Sequence, residues 1–190
     1  MRTLVLLLLT VLGIGILTGA YIVTTGVSAR PDPSGLEALT ARTIRGIAIR
    51  ARVGGVADPV PVTDATIREG MEHFADHCAS CHGNDGSGNT EMGRGLYPRA
   101  PDMRQPATQN LSDAELFYII ENGVRLTGMP GWSTGTKEGE TSSWHLVHFI
   151  RHLPKLTDEE VELMKELNPK SPQEVRQQIE EEKFLQGGPQ

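Results

Sequence analysis

The only two cysteines of the chain stand three residues apart with a histidine directly after the second, in the run Cys78-Ala79-Ser80-Cys81-His82. C-x-x-C-H is the pattern at which haem c is attached, because each thiol can add to one vinyl group and the next imidazole is set beneath the iron. A chain built this way folds around its cofactor. Aromatic residues make up 5% of the 190 positions, so side chains alone give a thin core, and a buried porphyrin supplies much of the missing apolar surface. C-x-x-C also suits a dithiol redox couple or half a zinc site, but neither explains His82. A zinc site needs a second ligand pair, and the nearest candidates, His145 and His148, lie far downstream. The expectation is one haem c, covalently bound at Cys78 and Cys81.

Ahead of the motif the chain reads as a membrane segment and a basic linker. No charged residue occurs from Thr3 to Val27, and Leu4 to Val23 supplies about the 20 mostly apolar residues a helix needs to cross a bilayer. Residues 1–29 are either a retained single-span anchor or a signal peptide cut near Val27-Ser28-Ala29. The apolar run exceeds the roughly 7–15 residues of a signal core, which favours the anchor. Gly15 and Gly19 form a G-x-x-x-G pair through which a second membrane helix can approach. Arg2 stands alone before the span whereas Arg30, Arg42, Arg45, Arg50 and Arg52 follow it, which by charge alone puts the C-terminal side in the cytoplasm. In the linker, residues 30–61, Leu36, Leu39, Ile44, Ile47 and Val53 alternate with those arginines. The pattern suits a helix on anionic headgroups and equally a solvated basic helix.

The haem domain is expected over residues 62–155, one modest domain for a chain of this length. Thr63 or Asp64 caps a first helix in which Ile67, Met71, Phe74 and Cys78 recur at helical spacing, so one stripe runs into the motif. Gly83 to Gly88 is a loop, and Leu96-Tyr97-Pro98-Arg99-Ala100-Pro101-Asp102 is too rich in proline for regular helix and is expected as wall around the haem. Ser112-Asp113-Ala114-Glu115 is a capping box opening a helix that closes at Gly123, and a further helix is expected from about Ser142 to Pro154. His145, His148 and His152 share one stripe of that helix, expected on its solvated side. Residues 156–190 carry two more capping boxes, at Thr157 and Ser171, and are expected as an acidic helical tail laid on the domain.

The second iron ligand decides between electron transfer and chemistry on a small molecule. Of Met92, Met103, Met129 and Met164, Met129 alone has a setting suited to ligation: in Thr127-Gly128-Met129-Pro130-Gly131-Trp132 the glycines let the backbone approach the ring and Pro130 stiffens the loop. Together with Gly70 and Phe74, the haem motif and the closing Trp144, Phe149 and Leu153-Pro154, this run resembles the class I (mitochondrial-type) cytochromes c, and among them the membrane-anchored single-haem bacterial proteins. The resemblance implies an all-α, class I cytochrome c-like haem domain preceded by a single N-terminal transmembrane helix. It implies thioethers at Cys78 and Cys81, iron ligation by His82 and Met129, and packing of the first and last helices through Gly70. It also implies a carbonyl, from Pro98 or Pro101, for the His82 ring N–H. Cytochromes c receive their haem outside the bacterial cytoplasm, so the resemblance sets the domain on the periplasmic side, against the arginine count. The lysine ring by which many soluble members dock is missing, and their partners are not carried over.

These readings converge on a one-electron carrier, with no catalytic residues, held at the periplasmic face of the cytoplasmic membrane. Its partners are the bilayer, through the N-terminal helix, and membrane redox complexes or other cytochromes as donor and acceptor. Two other classes stay open: a haem enzyme or gas sensor with Met129 off the iron, and an obligate subunit of a larger oxidoreductase complex. A net charge of −6 without a basic run gives nucleic acid no footing. Arg94, Arg99, Arg104 and Arg125 lie between the two ligands in sequence and are candidates for the haem propionates.

Overall fold

The computed structural model describes residues 1–185; the last five residues of the expected tail, 186–190, lie outside the described residues. Among the described residues the chain is helical without strands: α1 (Arg2–Thr25), α2 (Gly35–Arg50), α3 (Asp64–His73), α4 (Ala79–His82), α5 (Glu91–Gly95), α6 (Pro106–Gln109), α7 (Asp113–Asn122), α8 (Lys137–His152), α9 (Asp158–Leu167) and α10 (Pro172–Leu185). A π-helical turn, Phe74–Cys78, joins α3 to α4, and a 3-10 turn, Leu153–Lys155, follows α8. α1 is long and apolar enough to cross a membrane and buries none of its span against the rest of the chain.

The centre of the fold is the crossing of α3 and α8. A Cβ at Gly70 would lie 2.0 Å from the backbone oxygen of His145, so only glycine lets the two backbones approach this closely. Below the crossing, Phe74 and Phe149 meet with ring centroids 5.1 Å apart, each at most 1% exposed. α7 closes a second side of α8, with Phe117 stacked on Trp144 at 4.3 Å. Local chemistry sets the helix starts: Ser112 and Thr157 each close a reciprocal capping box, as their spacing predicts, and of Thr63 and Asp64 it is Thr63 that caps α3, in a box with Thr66. α8 begins five residues before the expected Ser142, because the Thr136 side chain accepts from the Gly139 N–H and holds a start that includes the poor helix formers Gly139, Thr141 and Ser142. Arg151 then ties α8 to the turn before α7, donating to the Gln109 carbonyl at 2.7 Å, to Leu111 O and to Asp113.

The histidine stripe of α8 is not solvated. His148 is 4% exposed, with Nε2 2.6 Å from Asp58 Oδ2 and Nδ1 3.1 Å from Thr66 Oγ1. His145 Nδ1 lies 2.9 Å from Glu69 Oε2, and His152 Nε2 lies 2.9 Å from Glu160 Oε1. His148 thus meets the linker and α3, His145 meets α3, and His152 meets α9. The physical reason is that α8 is covered on several sides, so its polar stripe faces other elements.

The flanking segments are also attached. Met164 of α9 is fully buried in the core, with Leu156 and Leu167 packed beside it. α9 thus belongs to the packed unit, whereas α10 leaves Phe184 and Leu185 more than three-quarters exposed. On the other side α2 packs on α7, with Ile49 buried and Arg50 reaching Glu115 at 3.7 Å. The Tyr97 hydroxyl donates to Glu37 at 2.6 Å, and Arg99 pairs with Asp32 at 3.1 Å. The linker is therefore neither fully solvated nor free.

Candidate functional site

Cys78 ends the π-helical turn, in which the Ala79 N–H bonds back five residues to the Phe74 carbonyl. The wider turn interrupts the α-helical stripe just before Cys78-Ala79-Ser80-Cys81-His82 and re-aims the residues beyond it. Both cysteines are half-buried. Burial, with Cys81 adding, pushes the Cys78 thiol up to about 12. Dithiol exchange requires a readily formed thiolate, so this environment disfavours the redox-couple reading. His82 is held neutral: burial lowers its pKa, against an opposing pull from the Pro101 backbone. A neutral imidazole is the form that binds metal. His82 Nδ1 is sealed from solvent without an acceptor at full hydrogen-bond geometry, and the Pro101 carbonyl is the backbone group that acts on the ring. Of Pro98 and Pro101, the structure thus puts Pro101 beside the ring, with Nε2 left for a metal.

The segment between the motif and Pro101 is fitted to the motif by backbone contacts that exclude side chains. Gly88 N–H donates to the His82 carbonyl at 2.7 Å, and the Thr90 hydroxyl reaches the Ser80 and Cys81 carbonyls at 2.8 and 3.0 Å. A Cβ at Gly93 would sit 2.2 Å from Cys81 O, and one at Gly88 would sit 2.3 Å from Ala100 O. Arg104 braces the far side, with Nε 2.9 Å from Asp102 Oδ1 and Nη1 3.2 Å from Asp85 Oδ2. The Arg104 hydrogen bonds hold the Asp102 carboxyl down at about 2.

Met129 sits in the loop between α7 and α8. Gly123 (φ 66°) ends α7, the Val124 N–H donates to the Met129 carbonyl at 3.0 Å, and the Met129 N–H donates to Thr127 Oγ1 at 3.1 Å. The loop touches the motif's surroundings on two sides. Gly128 presses on Leu96, where a Cβ would lie 2.5 Å from Leu96 Cδ2. Trp132 stands edge-on to His77, the residue before Cys78, with ring centroids 5.4 Å apart. The other methionines after the motif are placed otherwise: Met103 and Met164 lie in the core and Met92 is 58% exposed.

The residues present fit a covalently held haem. Two thiols on one helical turn, a neutral imidazole with one nitrogen sealed, and a half-buried thioether on a loop packed against the same helix are the donor set such a group needs. A zinc site finds no such support, because His145 and His148 are engaged by Glu69, Asp58 and Thr66. Residues 65–150 match the family model described as cytochrome C oxidase, cbb3-type, subunit III. This segment is a c-type cytochrome domain. It runs from the first turn of α3 almost to the end of α8 and contains Cys78, Cys81, His82 and Met129. Cytochrome c domains carry haem and work in electron transfer. α1, long and apolar enough to cross a membrane, stands ahead of the matched segment.

Three contributors were not singled out from the sequence: His77, Thr90 and Gly93. His77 touches the indole, Thr90 ties down the Ser80 and Cys81 carbonyls, and Gly93 lets α5 pass over Cys81. The Thr90-x-x-Gly93 spacing, a helix cap beside a loop, was the available signal. Among the candidate arginines, Arg99 and Arg104 are committed to Asp32 and to Asp85 and Asp102, and Arg94 to Asn89.

Proposed function

We propose that this protein is a one-electron carrier whose haem c is joined to Cys78 and Cys81 and ligated axially by His82 and Met129, on the periplasmic side of the membrane that α1 enters. The observation that carries the reading is the seating of the Met129 loop beside the C-x-x-C-H helix, through Trp132 on His77, and on the segment after that helix, through Gly128 on Leu96. When bound, the haem supplies a reversible one-electron couple. Pro101 orients His82, and the packed loop keeps the Met129 sulfur in position in both redox states, so little needs to rearrange on electron transfer. Methionine favours the reduced state and raises the potential. With His82 and Met129 both holding the iron, no position would remain for substrate, so the enzyme or gas-sensor reading would need Met129 displaced. The donor is a quinol- or substrate-oxidising membrane complex, and the acceptor a terminal oxidase or another cytochrome.

A second reading, an electron-transfer subunit of an oxidase complex, is favoured by the description of the matching family. Two measurements test the proposal. Mass spectrometry of the denatured chain should find one porphyrin retained, and Cys78→Ala with Cys81→Ala should release it; a native chain that sheds its haem on denaturation overturns the covalent assignment. Purification in mild detergent then separates a lone carrier from a chain that travels with other subunits.

A further inference from the structure

The linker helix α2 has two faces with different fates. At about 100° per residue, Ala38, Ala48 and Ile49 lie on one side, and Leu36, Leu39 and Ile47 on the other. The first side is the docked one: Ile49 is buried, and Ala38 and Ala48 are partly covered. The second side is open, with Leu36, Leu39 and Ile47 exposed by 77%, 65% and 61%. Three large aliphatic side chains turned away from the domain on a helix already docked by its opposite side are not explained by the packing of the haem domain.

Three further observations say what covers them. α2 begins at Gly35, shortly after α1 ends at Thr25, so it lies where a membrane-spanning α1 leaves the bilayer. Tyr21 in the last turns of α1 and Leu36, Glu37 and Thr40 in the first turns of α2 line one concavity, which brings the open face to the level at which the span ends. Charge changes sign along the chain: between the span and position 63 five arginines stand against three acidic residues, and after it twelve basic stand against twenty-one acidic residues. The basic part is the part nearest the membrane, as a contact with anionic headgroups requires.

We infer that α2 is an interfacial helix, with Leu36, Leu39 and Ile47 set into the headgroup region of the anionic bilayer that α1 spans. This rests on reading α1 as a retained anchor. Its consequence follows from what holds the helix to the domain. Ile49 is buried, the Arg50–Glu115 pair and the Tyr97–Glu37 hydrogen bond join α2 to the haem domain, and the Arg99–Asp32 pair joins the segment just ahead of it. The domain therefore rests on the membrane in one orientation and at one height, and the segment joining it to the anchor is a platform. A flexible tether would let the domain tumble; this arrangement presents the same edge to every partner in the membrane plane.

The test uses the full-length haem-loaded chain, one copy per lipid nanodisc containing phosphatidylglycerol, with Leu39→Cys, Ile47→Cys and, on the exposed surface of α3, Arg68→Cys. Unchanged absorption spectra show that the variants fold, and the parent chain gives the background from Cys78 and Cys81. The inference predicts that a charged, water-soluble maleimide labels positions 39 and 47 about tenfold more slowly than position 68, while a lipid-partitioning maleimide labels them readily. Equal labelling of all three by the charged reagent overturns the inference and makes α2 a solvated linker. Labelling at 47 by the charged reagent in nanodiscs, but by neither reagent in native membranes, also overturns it and assigns the face to a neighbouring protein. A purified chain that lacks residues 1–29 and leaves the disc fails the anchor reading itself, an outcome read by mass and distinct from the other two.

Discussion

Gly70→Ala tests the packing on which the site depends. The added Cβ would stand 2.0 Å from His145 O, 2.6 Å from His145 C and 2.9 Å from Phe149 Cβ. Ordinary contact begins near about 3.5 Å, so α3 and α8 must part by roughly 1 Å or more. Two of the three obstructing atoms are backbone, which cannot swing aside as a side-chain tip does. Overpacking of a core costs about 1–3 kcal/mol, and here the same displacement loosens Phe74 against Phe149, so the upper end applies. Replacing glycine in a helix returns up to about 1 kcal/mol of propensity, which leaves a net loss of roughly 2–3 kcal/mol. For a domain of this size that is a fall in Tm of ~10 °C or more, read by circular dichroism on the haem-loaded protein. Gly95→Ala, whose Cβ meets nothing within 4 Å, is the control and should change stability little. A Gly70→Ala protein as stable as the parent would falsify the close crossing of α3 and α8.

Other consequences concern the attached segments and the loop around Pro101. Met164→Ala should cost about 2–5 kcal/mol in urea unfolding, as for a fully buried methionine; a change under about 0.5 kcal/mol would return α9 to the status of a loose tail. Asp58→Ala leaves His148 Nε2 buried without its acceptor and should cost about 1–3 kcal/mol, and in a His148→Leu background the same substitution should cost clearly less. Hydrogen bonds from Arg104 hold the Asp102 carboxyl near 2, below its ordinary 3.8, so the contribution of that group is present above about pH 4 and is lost as pH falls through 2. The deficit of Asp102→Asn should accordingly shrink to nothing between pH 4 and pH 2, and a deficit that persists below pH 2 contradicts the assignment.

What could be read from the sequence was what local chemistry determines. Ser112 and Thr157 cap the helices their spacing announces, because a capping box is complete within four residues, and the choice between Thr63 and Asp64 fell to Thr63 through Thr66. The helical core and the closeness of Gly70 to α8 were legible through the resemblance. Most of the misreadings involve partners distant in sequence. The stripe His145, His148, His152 looked solvated because Glu69, Asp58 and Glu160, which engage it, belong to three other segments. The start of α8 was hidden by Gly139, Thr141 and Ser142, residues that leave helices readily unless a cap such as Thr136 holds them. The π-helical turn at Phe74–Cys78 has no local signature, since its extra residue answers the packing of Phe74 between Phe149 and His82. The choice between Pro98 and Pro101 depended on how a loop of twenty residues folds back, through Gly88 and Met103, onto the motif.

The central claim is a closed iron with His82 on one face and Met129 on the other. The most direct measurement is the absorption spectrum of the purified protein, oxidised and then dithionite-reduced, with and without carbon monoxide, for the parent and for Met129→Ala. The account predicts the weak long-wavelength sulfur-to-iron band in the oxidised parent, a sharp reduced α-band that carbon monoxide leaves unchanged, and loss of both properties in Met129→Ala. A high-spin oxidised parent that binds carbon monoxide, or a Met129→Ala protein with the parent's spectra, contradicts it.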